Sequence, residues 1–210
     1  MVKNSEVKKI NDITAEKFPG EFVEYYSYDT VDDSHIVHNN LYPTEFLNSL
    51  SFSGMPEHIL RLKVGMPVML LRNINPNEGL FNGVRLIVKA LNRNVLQCEI
   101  MTGSNQGSTV YIPRINLLSE SATLPFTLKR KQFPVCLCFS MTINKSQGQS
   151  IDHLGIFLPE NVFTHGQLYV ALSRATRKEN IRFLGTNRES KNCDVFVKNV
   201  VYTEVLNKLP

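Results

Sequence analysis

Residues 142–150, TINKSQGQS, lie between an apolar run ending at Phe139 and a second one beginning at Ile151. A hydroxyl, an amide, a lysine and a glycine on a short polar turn after a strand make a phosphate-facing loop of the kind found where open α/β sheets bind ligands. The residues alone leave open whether that phosphate belongs to ATP or to DNA. Ser140 or Thr142 is placed to cap a short helix, and Gly148 to end it in the left-handed region. These structural duties explain the glycine and one hydroxyl. They do not explain Lys145 and Gln147 on an exposed turn.

Outward from this turn, the pattern predicts strands at Phe133–Phe139, His153–Leu158 and Ile181–Gly185, with a helix from about Thr164 to Arg174. Alternating strands and helices imply a parallel α/β sheet. Within HGQLYVALSRAT, residues 165–176, Leu168, Ala171, Leu172 and Ala175 form an apolar stripe, while Gln167 and Arg174 stand seven apart on nearly one line. A planar guanidinium at Arg174 suits a phosphate, and equally the negative end of the helix dipole.

Between Leu60 and Pro125 the texture differs. The runs VGMPVMLL, GVRLIVKAL, VLQCEIM and STVYIP are separated by turn residues, as in a small β-barrel or meander. Asn75-Pro76-Asn77, Asn82-Gly83 and Gly103-Ser104-Asn105 are expected to set its turns. Upstream, Val7, Ile10, Ile13 or Ala15, and Phe18 space as a short amphipathic helix that Pro19-Gly20 ends. Residues 25–45 read as surface loop. Asp32-Asp33 has no strand running into it and reads as solvated; the rings of Tyr25, Tyr26 and Tyr28 suit base stacking, but in an acidic segment they are expected to pack locally.

With 210 residues and 42% hydrophobic content, the chain can bury a core. No segment approaches the length of a membrane span, and no signal peptide is apparent, so an intracellular protein is expected. Cys98, Cys136, Cys138 and Cys193 fit no zinc spacing and read as buried thiols. His35, His38, His58, His153 and His165 form no ligand pattern, so no metal site is expected. The net charge of +4 conceals an asymmetry: residues 1–60 hold four Lys/Arg against ten Asp/Glu, and residues 127–191 hold ten against four. The basic half is where a polyanion would bind.

TINKSQGQS together with GQLYVALSRAT resembles the fifth and sixth motifs of superfamily 1 helicases. The similarity is to the RecD-like branch typified by the petite-integration-frequency helicases, in their plant-type form, and the helicases of Helitron transposons. LKVGMPVMLLRN followed by GLFNGVRLIV resembles the SH3-like module that this family inserts into its second RecA-like domain, and KNSEVKKIND is similar to the end of the fourth motif. The resemblance implies an α/β fold: a second RecA-like helicase domain of the P-loop NTPase type, carrying a small SH3-like β-barrel. Its parts would be residues 1–43 (the start of the RecA-like domain and an acidic loop), 44–126 (the inserted β module), 127–190 (the rest of the domain, with motifs five and six) and 191–210 (a tail).

Residue by residue, the resemblance makes Arg174 the arginine finger, sets Gly148 and Gln167 beside the nucleotide, and turns Thr142, Asn144 and Lys145 toward single-stranded DNA. Asn144 stands where many members carry histidine; an amide still donates to phosphate but does not titrate. The cofactors implied for a complete enzyme are ATP and Mg2+. The 210 residues contain no Gly-Lys dipeptide, hence no phosphate-cradling loop, nor an acidic strand end for the metal. The expectation is therefore the C-terminal half of an ATP-dependent 5′-to-3′ DNA helicase, of repair, recombination, telomere or transposon type. It would not hydrolyse ATP by itself and would depend on a first RecA-like domain in cis or in trans. A non-catalytic single-stranded DNA-binding module or helicase relic is the alternative. A nuclear protein is expected, with mitochondria as the other location, and no membrane partner.

Overall fold

The computed structural model describes residues 3–32, 42–119, 124–162, 164–185, 199–202 and 204. In chain order the elements are α1 (Asn4–Lys17), β1 (Val23–Tyr26), β2 (Tyr28–Val31), α2 (Thr44–Ser49), β3 (Ile59–Leu62), β4 (Pro67–Leu70), β5 (Arg85–Leu91), β6 (Val95–Ile100), β7 (Thr109–Pro113), β8 (Ile115–Leu118), β9 (Leu128–Gln132), β10 (Val135–Leu137), β11 (Leu154–Leu158), α3 (Gln167–Leu172) and β12 (Ile181–Gly185). They divide into two compact units, one of residues 13–139 and one of residues 1–12 with 140–210.

In the larger unit, the apolar runs read from sequence become an antiparallel sheet ordered β10-β4-β5-β6-β7. Period-two alternation turns Leu86, Val88, Leu96, Cys98, Ile100, Val110 and Ile112 inward, onto a core closed by Leu62, Val68, Leu70, Phe133 and Val135. Each aliphatic side chain so buried contributes about 1.5–3 kcal/mol. The β5–β6 connection turns through Asn92-Arg93-Asn94, a hairpin the composition did not flag. Gly79, Gly83 and Gly103 adopt positive φ in the turns that were read.

Two expectations are corrected here. Phe133–Phe139 is not a strand of a parallel sheet: its strand is only β10, which pairs antiparallel with β4. An apolar run of this length carries no mark of the sheet it joins. Residues 25–32 are not surface loop either, for β1 pairs with β3 and β2 with β9. Tyr25 enters the core, edge-on to Phe133 with ring centroids 5.0 Å apart. Alternation hid in the acidic composition: Tyr25 and Asp29 point inward while Tyr26 and Tyr28 point out. The compact unit of residues 13–139 therefore takes in β1, β2 and β9 together with the β runs that follow Leu60. The rest of the expected loop, with Asp33, His35 and His38, lies outside the described residues.

Gln132, fully buried, holds the β1–β2 junction. Its amide donates to the carbonyls of Tyr25 (2.8 Å) and His58 (3.2 Å) and accepts from the Phe133 N–H (3.0 Å). A second cluster, of Leu47, Met55, Leu117, Phe126 and Leu128, seats α2. In α1, Ala15 takes the buried position and Ile13 stays 48% exposed. Phe18 ends the helix, and the ammonium of buried Lys63 accepts the role of cap, donating to the Phe18 carbonyl at 2.6 Å.

In the smaller unit, β11 and β12 run parallel, with Leu154 opposite Ile181 and Leu158 opposite Gly185. Ile143, Ile156, Leu158, Val162 and Ala171 form the core between these strands and α3. The helix is shorter than the 164–174 expected, because Gly166 at its N-cap has φ +73° and Ser173 closes it.

Candidate nucleotide and nucleic-acid site

The turn quoted above is a single 3-10 turn, Asn144–Ser146. Of the two hydroxyls offered as caps, Thr142 does the work, accepting from the Lys145 N–H at 3.4 Å. Ser146 is buried and donates to the Ile143 carbonyl at 2.7 Å, pinning the inner side of the turn. Asn144 and Lys145 therefore stand exposed on the outer side. Gly148 has φ +78° and open space where a Cβ would stand, so backbone conformation rather than crowding accounts for glycine here.

Ser140 has a different duty. Its N–H donates to the Asn11 side-chain oxygen at 2.8 Å, and the Asn11 amide donates back to the Ser140 carbonyl at 3.3 Å. The pair fixes the entry to the turn against the first part of α1. Sequence reasoning missed Asn11; the available signal was a polar residue four after Val7, interrupting the apolar face of an amphipathic helix.

Gln167 begins α3 and is buried at 4% exposure. Arg174 lies beyond the helix end, half-buried. Its guanidinium spans three acceptors: Nε donates to the Val170 carbonyl (3.1 Å), Nη1 to the Gln149 carbonyl (3.5 Å) and Nη2 to Ser173 Oγ (2.9 Å). The backbone joins the same two segments, because the Ile151 N–H donates to the Arg174 carbonyl at 2.9 Å and Ile151 bridges Ala175 in parallel. The two stretches singled out separately in the sequence thus form one surface, with a hydrogen-bonded guanidinium at one end and a polar turn at the other.

Among the described residues no group of three or more His, Cys, Asp or Glu is arranged to hold a metal ion. Cys98, Cys136 and Cys138 form no disulfide, and Cys193 lies outside the described residues. No helix among the described residues is long and apolar enough to cross a membrane.

Residues 45–91 match the family model of the DNA helicase Pif1 2B domain. The human ATP-dependent DNA helicase PIF1 is 33% identical over 153 residues, which cover 71% of this chain and 23% of that protein. The likeness is thus to the Pif1 helicase family. Two solved structures extend the likeness to 98% of the chain: Bacteroides Pif1 bound to single-stranded DNA (TM-score 0.67, 25% identity, 43% of that chain) and a complex of two coordinating Pif1 helicases at forked duplex DNA (TM-score 0.67, 26% identity, 41% of that chain). The fold is accordingly the mixed α/β fold of a RecA-like helicase domain bearing a 2B domain. The chain spans about a fifth to a quarter of the length of the curated Pif1 relatives it matches first.

Proposed function

We propose that this chain supplies the second RecA-like domain, with its β module, of an ATP-dependent DNA helicase that moves 5′ to 3′ on a single strand. In this reading Thr142, Asn144 and Lys145 grip the DNA backbone, Gly148 and Gln167 border the nucleotide, and Arg174 is the arginine finger. The observation that carries the reading is the bonding of Arg174 to the Gln149 carbonyl and of Ile151 to the Arg174 carbonyl. It ties a phosphate-seeking cation to the strand-facing turn through one short β bridge. A motor needs such a link, because nucleotide state does work only if it changes grip on the strand.

The guanidinium is held by three acceptors of neutral charge, none of them a carboxylate. A γ-phosphate, being anionic, would compete for it with stronger, charge-assisted bonds. An arginine finger acting on a transferring phosphoryl group accelerates hydrolysis by about 10^3- to 10^5-fold in nucleotide hydrolases. A phosphate-cradling loop and the acidic ligands for Mg2+ would come from a first RecA-like domain, in cis or in trans. The plant-type and Helitron-like affinity, roles in repair, recombination or telomere maintenance, and nuclear location belong to the same proposal and rest on the motif resemblance.

The test is reconstitution. The chain alone is expected not to turn over ATP; joined to a first RecA-like domain of a Pif1 helicase, it is expected to hydrolyse ATP in response to single-stranded DNA. Arg174→Ala should abolish that activity and leave strand binding intact, whereas Lys145→Ala should weaken the strand requirement uniformly across sequences. Hydrolysis by the isolated chain that Arg174→Ala removes would refute the reading.

A further inference from the structure

A second surface, in the larger unit and remote in sequence from the residues above, has the chemistry of a stacking platform. The extended run from β1 into β2 turns Tyr25 and Asp29 inward and leaves Tyr26 55% and Tyr28 70% exposed on the outer side. Tyr28 stands directly opposite Lys131 of β9, and Lys131 in turn opposite Asn116 of β8, so a tyrosine, an ammonium and an amide lie side by side across three strands. All three are exposed. Arg114, the residue before β8, braces the strand from the inner side, donating to the Tyr26 carbonyl at 2.8 Å while its guanidinium lies over the buried Phe133 ring at 4.7 Å.

The charge at this face is unbalanced. Burial draws the Arg114 guanidinium below its ordinary range; Tyr25 opposes that shift, and Arg93, from the β5–β6 turn, adds to it by like-charge repulsion. Of the acidic groups nearby, Glu24 borders the face, accepting from the Tyr26 hydroxyl at 2.9 Å, and is paired with Arg61 at 3.3 Å, while Asp32 approaches Lys129 at 3.9 Å. No ion pair is made to Arg93 or Lys131 among the described residues. Large exposed aromatic rings beside an exposed ammonium, on the open face of a sheet, are what flexible single strands bind: bases stack on the rings, and phosphates meet the cation. Duplex DNA offers no free base faces to such a surface.

We propose that the face formed by Tyr26, Tyr28, Asn116 and Lys131 binds single-stranded DNA as a second contact, in addition to the Thr142–Lys145 turn. Tyr28, the more exposed ring and the one opposite Lys131, carries the stacking. This site goes beyond the helicase reading and does not depend on it, since none of its residues belongs to the motifs on which that reading stands.

The test uses the 210-residue chain and a short fluorescein-labelled oligothymidine, followed by fluorescence anisotropy at low and rising salt. Tyr28→Ala is expected to weaken binding about 5- to 100-fold, and Tyr28→Phe to retain it, because the ring rather than the hydroxyl stacks. Lys131→Ala should reduce the dependence of log affinity on log salt by about 0.7. Both effects should persist in a Lys145→Ala background. Crosslinking to a 5-bromodeoxyuridine oligonucleotide should label the peptide containing Tyr28. Unchanged affinity of Tyr28→Ala in the Lys145→Ala background would overturn the proposal and give the face to a protein ligand. So would an absence of binding by the parent chain at low salt, or tighter binding of the duplex. Because the reconstitution above reads Arg174 and Lys145, failure of either idea leaves the other standing.

Discussion

The carboxylate of Asp29 and the guanidinium of Arg130 meet at 2.6 Å, both sealed from solvent, and so lock β2 to β9 at directly opposite positions of the ladder. Asp29 also accepts from Ser27 Oγ at 2.6 Å. With its proton committed there, the Ser27 hydroxyl is left to accept from His58 Nδ1 at 2.8 Å, which fixes the histidine tautomer. Arg130 reaches further, donating to the carbonyls of Pro56 (3.0 Å), Leu50 (3.2 Å) and Leu47 (3.3 Å). One side chain thereby ties the end of α2 and the loop after it to the sheet.

This asymmetry orders two substitutions. Arg130→Met strands a buried carboxylate and frees the carbonyls of Pro56, Leu47, Asn48 and Leu50, and is expected to destabilise the chain by about 3–5 kcal/mol, the range for breaking a buried pair from one side. Asp29→Asn keeps an acceptor for the guanidinium and leaves Arg130 its carbonyls, so the loss should be smaller. Urea unfolding at neutral pH reads both. Equal midpoints for the two variants would show that the carbonyl contacts contribute nothing.

Cys98 offers a prediction in pH. Burial pushes its thiol from 9.0 up to about 12, so the folded chain keeps the proton in a range where the unfolded chain releases it. The sign follows from linkage: the contribution is present in full below about pH 9 and is lost as pH rises from there toward 12. Three units correspond to about 4 kcal/mol at the upper end. Lysines and tyrosines titrate in the same window, so the comparison that isolates Cys98 is with Cys98→Val. The parent should lose stability faster than the variant between about pH 8.5 and about pH 10.5, and native Cys98 should resist iodoacetamide until urea unfolds the chain. Parallel pH profiles would remove the thiol from this role.

Much of this architecture was legible because the signals were periodic. The four β runs after Leu60 alternate over enough residues to define both strand and face, and the polar turn with its glycine stood out between two apolar stretches. What escaped detection was carried by residues whose meaning depends on distant partners. Asp29 and Arg130 are 101 positions apart and each looks like an ordinary surface charge. Residues 25–32 were hidden by acidic composition, although their alternation was present. The Phe133–Phe139 run was assigned to the wrong sheet, since apolar content says that a strand is buried but not which neighbour it pairs with. For the candidate site, the sequence supplied the two motif stretches. Their joining through Arg174 and Ile151, and the bracing by Asn11, needed three dimensions.

Three glycines separate conformational strain from crowding. Gly148 has φ +78° with nothing near its absent Cβ, and Gly79 has φ +81° with the Asn105 side chain at 3.2 Å. Gly155, in β11, has an ordinary φ and open space. Alanine at 148 should therefore cost about 1–2 kcal/mol from the left-handed backbone alone. Alanine at 79 should cost the same strain and whatever Asn105 needs to move aside. Alanine at 155 should be neutral or stabilising by about 0.4–1 kcal/mol, because it restricts the unfolded chain. Thermal denaturation of the three variants gives the order, and a Gly155→Ala variant as damaged as Gly148→Ala would contradict it.

Asn11 carries the last prediction, because it tests whether the polar turn is held from outside itself. The Ser140 N–H and carbonyl both use the Asn11 side chain. Asn11→Ala leaves that N–H and that carbonyl without their side-chain partner in a half-buried place, at about 1–3 kcal/mol. Asn11→Asp keeps the acceptor for the N–H and loses only the donor to the carbonyl, so it should lie between alanine and the parent at neutral pH. If the brace orients the turn, the loss of strand affinity should follow the same order, although Asn11 itself is 6% exposed and cannot meet DNA directly. Measured together by urea unfolding and oligothymidine anisotropy, stability and affinity should fall in step from Asn to Asp to Ala. A variant that loses stability while binding as tightly as the parent would show that Asn11 serves the fold alone.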